Sequence, residues 1–186
     1  MPCTRRDLTL PLLTLLVCAC AVLALIASLA PAEAAAGCSY STKQPQDIGR
    51  KQARQAVNCL INKERNQRGR GDLSSDHRLV DAAVKHSAVM ARKNCFSHQC
   101  RGEKTLLGRL KSVNYIVDGL SRWSYGENIA HGRDGSGTPR EIVDDWMNSS
   151  AHRSAILSGT FKEMGAGFKP RGDKGFYTVD FGLRRR

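Results

Sequence analysis

The feature that most constrains this chain is an uncharged amino-terminal segment. Residues 8–32 contain no charged side chain, two arginines precede them, and alanines and a glycine follow. An apolar run with a basic start and A-x-A cleavage sites is typical of an export signal. We therefore predict that residues 1–36 are a signal peptide and that residues 37–186 are a single exported domain.

The apolar core of this segment leaves an alternative open. The run over residues 12–30 is long enough to span a bilayer, so it could also act as an uncleaved anchor. The arginines would stay cytoplasmic in either case, and the rest of the chain would lie outside. Lipidation at Cys38 is a third alternative, but the leucine expected three residues earlier is missing. We expect a secreted protein, or a surface-anchored one if the signal is not cleaved.

Four of the seven cysteines lie in the exported part. An even number in an exported chain predicts two disulfides, for which sequence alone allows three pairings. We favour Cys38 with Cys59 and Cys95 with Cys100, because the second bond would close a tight loop around His98. The alternative is a zinc site made by Cys95, His98 and Cys100, which an oxidising compartment disfavours.

The exported part is long enough for one domain with its own core. Apolar residues at helical spacing predict one helix over residues 47–68 and another over residues 104–113. Between them, Ser75 or Asp76 can cap a further helix. His86 falls on the inward stripe of that helix, where we expect a hydrogen-bonded core or cleft-edge histidine.

The second half of the chain mixes helices and strands. Thr138-Pro139-Arg140-Glu141 is a capping box with proline at the first helical position, and Ser149-Ser150 can cap a short turn that carries His152. Strands are predicted over residues 122–129 and in a hairpin over residues 164–182, with a flexible loop at 132–137. This order predicts an α+β fold in which helices cover an antiparallel sheet.

Two histidines and one acid stand in compact polar sequences spread over about sixty residues. His152 follows a helix start, whose partial positive charge favours a neutral ring, and His98 lies in the small cysteine loop. Glu127 would complete a His, His, Glu set with an open position, as in some hydrolytic zinc enzymes. The alternatives are that Glu127 accepts backbone N–H bonds and that the two histidines bond each other through water. Asn128 and Trp146 are expected to be structural.

The formal net charge of +12 suggests a polyanionic partner. Nucleic acid is not expected, because the basic residues are scattered, aromatics are only 6% of the chain, and export removes most nucleic acid from reach. Anionic wall polymers, lipid headgroups or acidic glycans fit better, with contributions from residues 65–70 and 184–186. The alternative is ordinary solvated surface charge.

Several short motifs recur together in one order, and with them the chain resembles the CAP superfamily. This superfamily comprises the cysteine-rich secretory, antigen 5 and pathogenesis-related 1 proteins, and the resemblance is to its compact bacterial SCP-like form. It covers residues 57–182. The motifs are Cys59-Leu-Ile-Asn-Lys-Glu-Arg65, His86-Ser87 with Met90-Ala91, Phe96-Ser-His98, Gly126-Glu-Asn-Ile-Ala130, Trp146-Met-Asn-Ser149 with His152-Arg153 and Ile156-Leu157, Gly165-Ala-Gly167, and Phe181-Gly182.

The resemblance implies an α-β-α sandwich, with a small antiparallel sheet between helical layers. It also implies a central cleft with two histidines and two acids, which binds zinc in some members. His98, Glu127 and His152 match three of these positions. The second acid falls at Ser149 here, although carboxylates stand nearby in the sequence at Glu141, Asp144 and Asp145.

These expectations combine into two functions. The first is a secreted binding module with a His98, Glu127 and His152 cleft for zinc, and a groove for lipid, sterol or an anionic cell-envelope polymer. The second is a metal-dependent, protease-like extracellular hydrolase in which His98 and His152 hold zinc and Glu127 acts as ligand or catalytic base. The missing second acid favours the binding module, and no cofactor other than zinc is expected. The superfamily resemblance does not decide activity, because one fold hosts many functions.

Overall fold

A computed structural model describes residues 37–186 of the chain. The predicted signal peptide, or anchor, at residues 1–36 lies outside the described residues. Cys38–Arg186 forms one unit. Within the described part, no helix combines the length and the apolar character needed to cross a membrane.

Five helices and four strands follow one another along the chain. The helices are α1 Arg50–Asn66, α2 His77–Lys93, α3 Leu106–Ser112, α4 Pro139–Asn148 and α5 Ser150–Ile156. The strands are β1 Ser74–Ser75, β2 Arg122–Arg133, β3 Glu163–Arg171 and β4 Lys174–Arg185, with a 3-10 turn at Asp134–Gly137.

The strands form one sheet in the order β1-β3-β4-β2. The β3–β4 hairpin is antiparallel, and β2 pairs antiparallel with β4, with Glu127 opposite Asp180. β1 pairs parallel with β3 through two residues only, which is too short for any periodic signal, and it was not predicted. Because β2 is an edge strand, its outer side is open to the loops and helices that build the site.

Alternate residues of β3 show that helices cover both faces of this sheet. A Cβ added at Gly167 would lie 2.2 Å from the carbonyl oxygen of Ala83, so α2 packs directly on the backbone there. Ala166 and Phe168 point to the other face, into a core shared with Val57 of α1 and with residues of α4 and α5. The predicted α-β-α sandwich is confirmed.

Most predicted element ends differ from the structure by a few residues. α1 and α3 are shorter than predicted, while β2 continues to Arg133, so the loop predicted at residues 132–137 is partly strand and partly a 3-10 turn. That turn packs tightly, because a Cβ at Gly132 would lie 2.1 Å from the Ser136 carbonyl oxygen. Two predicted caps are confirmed: the Asp76 side chain accepts from the backbone N–H of Arg78, and the Thr138 side chain accepts from the backbone N–H of Glu141. Ser149 lies at the N-cap of α5, but its side chain makes no capping hydrogen bond.

Both favoured disulfides are present. Cys38–Cys59 ties the start of the domain to α1, with the two Cα atoms 5.6 Å apart. Cys95–Cys100 closes the six-residue loop that carries His98. The alternative zinc site at Cys95, His98 and Cys100 is wrong, because the two sulfur atoms that would bind the metal are bonded to each other.

Candidate functional site

The first wall of the site is the disulfide loop that follows α2. α2 ends at Asn94 in a left-handed conformation with φ of 50°, and the chain then turns into the loop. His98 projects from it with 59% of its side chain exposed, and its Nδ1 lies 2.8 Å from Oε1 of Glu127. Arg109 of α3 donates from Nη1 to the His98 carbonyl oxygen at 2.8 Å. Two hydrogen bonds therefore hold His98, one at its ring and one at its backbone carbonyl oxygen.

Glu127 lies beneath His98 on β2, with only 1% of its side chain exposed. While Oε1 faces His98, Oε2 accepts a hydrogen bond from Nη2 of Arg109, whose side chain is 7% exposed. Both carboxylate oxygens are thus engaged. Burial alone would raise the pKa of Glu127, but the hydrogen bond from His98 and the charge of Arg109 hold it below its usual range.

A second histidine and a second acid lie deeper, beneath Glu127. His86 is fully buried, as the helical pattern predicted, and its Nδ1 lies 2.9 Å from Oε1 of Glu103. Its Nε2 is 3.9 Å from Oε2 of Glu127. Glu103 also accepts from the backbone N–H of Cys100 at 3.2 Å, which ties it to the disulfide loop.

Asp180 completes this buried group. It is fully buried on β4 directly opposite Glu127. Burial, followed by the charge of Glu127, holds the pKa of Asp180 well above its usual range. We name the cluster of His86, Glu103, Arg109, Glu127 and Asp180 the buried charge network.

The second wall is built by α4 and α5. His152 lies in the first turn of α5 and is partly exposed, and its carbonyl oxygen accepts from Nδ2 of Asn128 at 3.1 Å. Asn128 is therefore structural, as expected. Burial is the main reason that the pKa of His152 is lowered, and the charge of His98 is the second. Both favour the neutral ring that the sequence predicted.

Between the disulfide loop and helices α4 and α5 lies a cleft of about 290 Å³, which Phe96 and His152 line but His98 and Glu127 do not. The apolar part of its lining is Phe96, Ile129, Ala130 and Trp146, and the polar part is His131, Asp145, Ser149 and His152. Trp146 is 1% exposed and donates from Nε1 to the Ile129 carbonyl oxygen at 3.0 Å, so it belongs to the core as expected.

The family motif put the position of the second acid at Ser149, and sequence reasoning missed three residues of the network. Ser149 lines the cleft, and Asp145, one turn earlier, lines it too, whereas Glu141 and Asp144 are exposed on α4 and do not. The residues missed are Asp180, on β4, and the pair Glu103 and Arg109. For Glu103 and Arg109 a signal was available, because both follow closely after Cys100 in the segment that leads away from the disulfide loop.

The fit of a metal can be judged from the donors themselves. Hydrogen bonding of Nδ1 to Glu127 leaves Nε2 of His98 as the ring nitrogen that can face a metal. His152 is close enough for the charge of His98 to lower its pKa. Within residues 37–186 no group of three or more His, Cys, Asp or Glu side chains could hold a metal ion. The described residues therefore form no closed structural zinc site of three or four side chains.

Comparisons with known proteins give a consistent result. Residues 60–181 match the profile of CAP, the cysteine-rich secretory protein family. The chain is 37% identical to YkwD of Bacillus subtilis (strain 168) over 113 residues, which are 61% of this chain and 41% of that protein. It is 31% identical to the membrane protein YlbC of the same organism over 123 residues, 66% of this chain and 32% of that one. The chain thus spans less than half the length of either relative.

Solved structures agree on the fold. One is an extracellular protein containing a SCP domain from Bacillus anthracis str. Ames, with a TM-score of 0.61 and 29% identity over 76% of this chain and 43% of that chain. Another is an outer surface protein from Borrelia burgdorferi, with a TM-score of 0.59 and 18% identity over 69% and 90% of the two chains.

Proposed function

Because the chain belongs to the cysteine-rich secretory protein (CAP) family, whose profile covers residues 60–181, we propose that it is an exported binding module. Its cleft would hold a divalent cation such as zinc between His98 and His152 and would present that ion to an external ligand. The observation that carries the proposal is the bond of 2.8 Å between Nδ1 of His98 and the Glu127 carboxylate.

This bond supports cation binding because it sets the orientation and tautomer of the ring. A buried carboxylate that accepts from one ring nitrogen directs the lone pair of the other nitrogen outward, which is how metal-binding histidines are commonly prepared. A cation held by two imidazoles keeps coordination positions free, and the chemistry it would supply is Lewis-acid attraction for an oxygen or nitrogen of the ligand.

Export is supported by the covalent structure and by the relatives. Two disulfides stabilise a domain in an oxidising compartment and are rare in the cytosol. The Bacillus anthracis protein is extracellular, and YlbC is a membrane protein. We therefore propose a secreted protein, or a surface-anchored one if residues 1–36 are retained.

The size of the cleft limits the lipid that could enter. A volume of about 290 Å³ is near the lower end of pockets for small molecules, which begin at about 300 Å³. A sterol or acyl lipid would therefore insert only one apolar part between Phe96 and Trp146. An anionic cell-envelope polymer is the other proposed partner.

The alternative function is an extracellular hydrolase that uses the same cleft, with Glu127 as metal ligand or catalytic base. A general base must be free to take a proton from water or substrate. The Glu127 side chain is only 1% exposed, and its two oxygens already accept hydrogen bonds from His98 and Arg109. This arrangement supports the binding module over the hydrolase.

One preparation tests the proposal. The chain is recovered from the exported fraction, and bound zinc, zinc affinity and extracted lipid are measured for the wild type, His98→Ala and His152→Ala. We expect zinc binding that both substitutions weaken by at least about tenfold, because each removes one of two ligands. His77→Ala is the matched control, since His77 lies at the exposed start of α2.

The outcomes separate the two functions. Zinc affinity that neither substitution changes would refute the cleft as the cation site. Peptide hydrolysis that requires zinc and is lost in both variants would establish the hydrolase instead. Absence of the chain from the exported fraction would refute export.

A further inference from the structure

A second cavity lies at the other end of the sheet, away from the cleft. Its volume is about 360 Å³, and it opens where β3 begins and β4 ends. Its polar lining is Arg78, Glu163, Arg184, Arg185 and Arg186. We name it the arginine pocket. Neither the family resemblance nor the cleft accounts for a concentration of four guanidinium groups there.

The two inner arginines are held in place by Asp76. Arg78 donates to Asp76 through Nε at 3.2 Å and Nη2 at 2.8 Å, and Arg184 donates through Nη2 at 3.3 Å. Their side chains are only 25% and 23% exposed. Rotamers that are already fixed lose little entropy when a ligand binds, so the pocket is preorganised.

These bonds do not use all the donors. The contacts with Asp76 leave Nη1 of Arg78 and of Arg184 without a partner in the part of the chain that the structure describes. Nε of Arg184 is buried and makes no hydrogen bond within residues 37–186, but it forms an ion pair with Oε2 of Glu163 at 3.7 Å. The Nη1 groups, on side chains that are 25% and 23% exposed, are the donors open to an external acceptor.

The charge of the pocket favours an anion. Four arginines line it, and two carboxylate side chains, Glu163 in the lining and Asp76 behind it, face them, so positive side chains outnumber negative ones. Glu163 is itself engaged, because it accepts from the hydroxyl of Tyr115 at 2.6 Å. Guanidinium groups bind carboxylates and phosphates through paired hydrogen bonds.

An exposed aromatic surface continues the pocket along the sheet. Trp123 is 44% exposed and stacks on Tyr125 with their ring centroids 5.7 Å apart. It pairs with Arg184 across β2 and β4, so their side chains lie on the same face of the sheet. A flat apolar surface beside fixed cations suits a ring that carries an acidic group.

We propose that the arginine pocket binds the carboxylate or phosphate groups of an anionic glycan, with a sugar ring against Trp123. The site is separate from the cleft: Trp123 and Ile129 are six residues apart on β2, which is about 20 Å at ~3.3 Å per residue. The inference rests on the anionic polymer partner of the proposed function and names its class and its site, but it requires neither His98 nor His152.

The test uses three probes of different chemistry, measured by calorimetry at physiological salt with the chain from the exported fraction. Oligogalacturonate carries rings and carboxylates, a neutral malto-oligosaccharide of the same length carries rings only, and linear polyphosphate carries charge only. We expect oligogalacturonate to bind at least about tenfold more tightly than either control, since each lacks one of the two contacts.

Substitutions assign the binding to the pocket. Arg184→Gln should weaken oligogalacturonate binding about tenfold or more, and Trp123→Ala should weaken it while polyphosphate binding stays within about twofold. Arg171→Gln removes the same charge at the far end of β3 and is the matched control. If Arg184→Gln disturbs folding, Arg185→Gln with Arg186→Gln removes the two exposed guanidinium groups of the pocket instead.

The result that would overturn the proposal is equally specific. The arginine pocket is not the binding site if oligogalacturonate does not bind the wild type. The same follows if Arg171→Gln weakens its binding as much as Arg184→Gln does. Equal binding of polyphosphate with no effect of Trp123→Ala would refute the sugar contact. His98→Ala should bind oligogalacturonate normally, so a failed cleft and a failed arginine pocket are told apart.

Discussion

His98 and His152 are the same chemical group in two different settings. His98 is exposed, but it is joined to a buried carboxylate, which raises its pKa. His152 is less exposed and has no acid bonded to its ring in the described residues, so burial and the charge of His98 lower its pKa. One wall of the cleft is held by charge and the other by packing.

On the wall that carries His98, the same residue stabilises the fold and orients the ring. On the wall that carries His152, stability and binding depend on different residues. On the charged wall, Arg109 neutralises Glu127 and also holds the His98 carbonyl oxygen, so stability and ring orientation depend on the same residue. On the packed wall, Trp146 and Ile156 are buried whether or not His152 binds anything. A substitution should therefore affect function and stability together on the first wall and separately on the second.

The largest expected effect is the loss of Arg109. Arg109→Met would leave the buried Glu127 carboxylate without its cation, and breaking a buried ion pair in this way costs about 3–5 kcal/mol. Urea unfolding monitored by circular dichroism measures the change in free energy of unfolding. We also expect weaker zinc binding, because His98 would lose its backbone bond.

Lys111→Met is the matched control for this change. Lys111 lies on the same helix but is exposed, so its removal should alter the free energy of unfolding by less than about 0.5 kcal/mol. Similar losses in the two variants would mean that the buried charge network contributes nothing specific to stability.

A smaller loss is expected on the packed wall. Trp146→Phe removes the bond from Nε1 to the Ile129 carbonyl oxygen, and an unpaired buried acceptor costs about 1–3 kcal/mol. The measurement is again urea unfolding, with Trp123→Phe at an exposed position as control. Zinc affinity should stay near that of the wild type, since His152 keeps its backbone bond to Asn128. A variant that loses zinc binding without losing stability would contradict the division between the walls.

Much of the fold was predictable because its signals are local. The side-chain cap at Thr138, the inward stripe that contains His86 and the turn residues of the hairpin each act within a few residues, and the structure has all three. Of the predicted capping box, the structure has the bond from the Glu141 backbone N–H to the Thr138 side chain. β1 could not be predicted, because two residues carry no periodicity. Its position depends on pairing with Glu163 and Met164, which are distant in sequence.

The site was predictable in its outline but not in its electrostatics. His98 and Glu127 do meet, as the motifs implied. Arg109 and Asp180 were not anticipated, because their role depends on burial next to Glu127 and no short motif marks it. A lone Arg in a helix or Asp in a strand is usually exposed, so the sequence alone favoured the wrong environment for both.

The charged wall should also respond to pH. The hydrogen bond to Glu127 raises the pKa of His98 above 6.5, so the protonated ring stabilises the fold below that pH, and this contribution is lost as pH rises through the folded-state pKa. Glu127→Gln removes the negative charge with little change in shape. We expect the pKa of His98 to fall, as measured by proton NMR of the imidazole C2–H, with His98→Ala used for assignment. An unchanged pKa would show that the carboxylate does not control the ring.

The smallest expected change is in the pKa of His152, on the opposite wall. The same Glu127→Gln variant should leave His98 neutral at a pH where it is charged in the wild type. Because the charge of His98 is only the second cause of the lowered pKa of His152, after burial, the pKa of His152 should rise, but by less than that of His98 falls. A shift of equal size would mean that charge rather than burial governs His152, and no shift would mean that the two rings do not face a shared cleft.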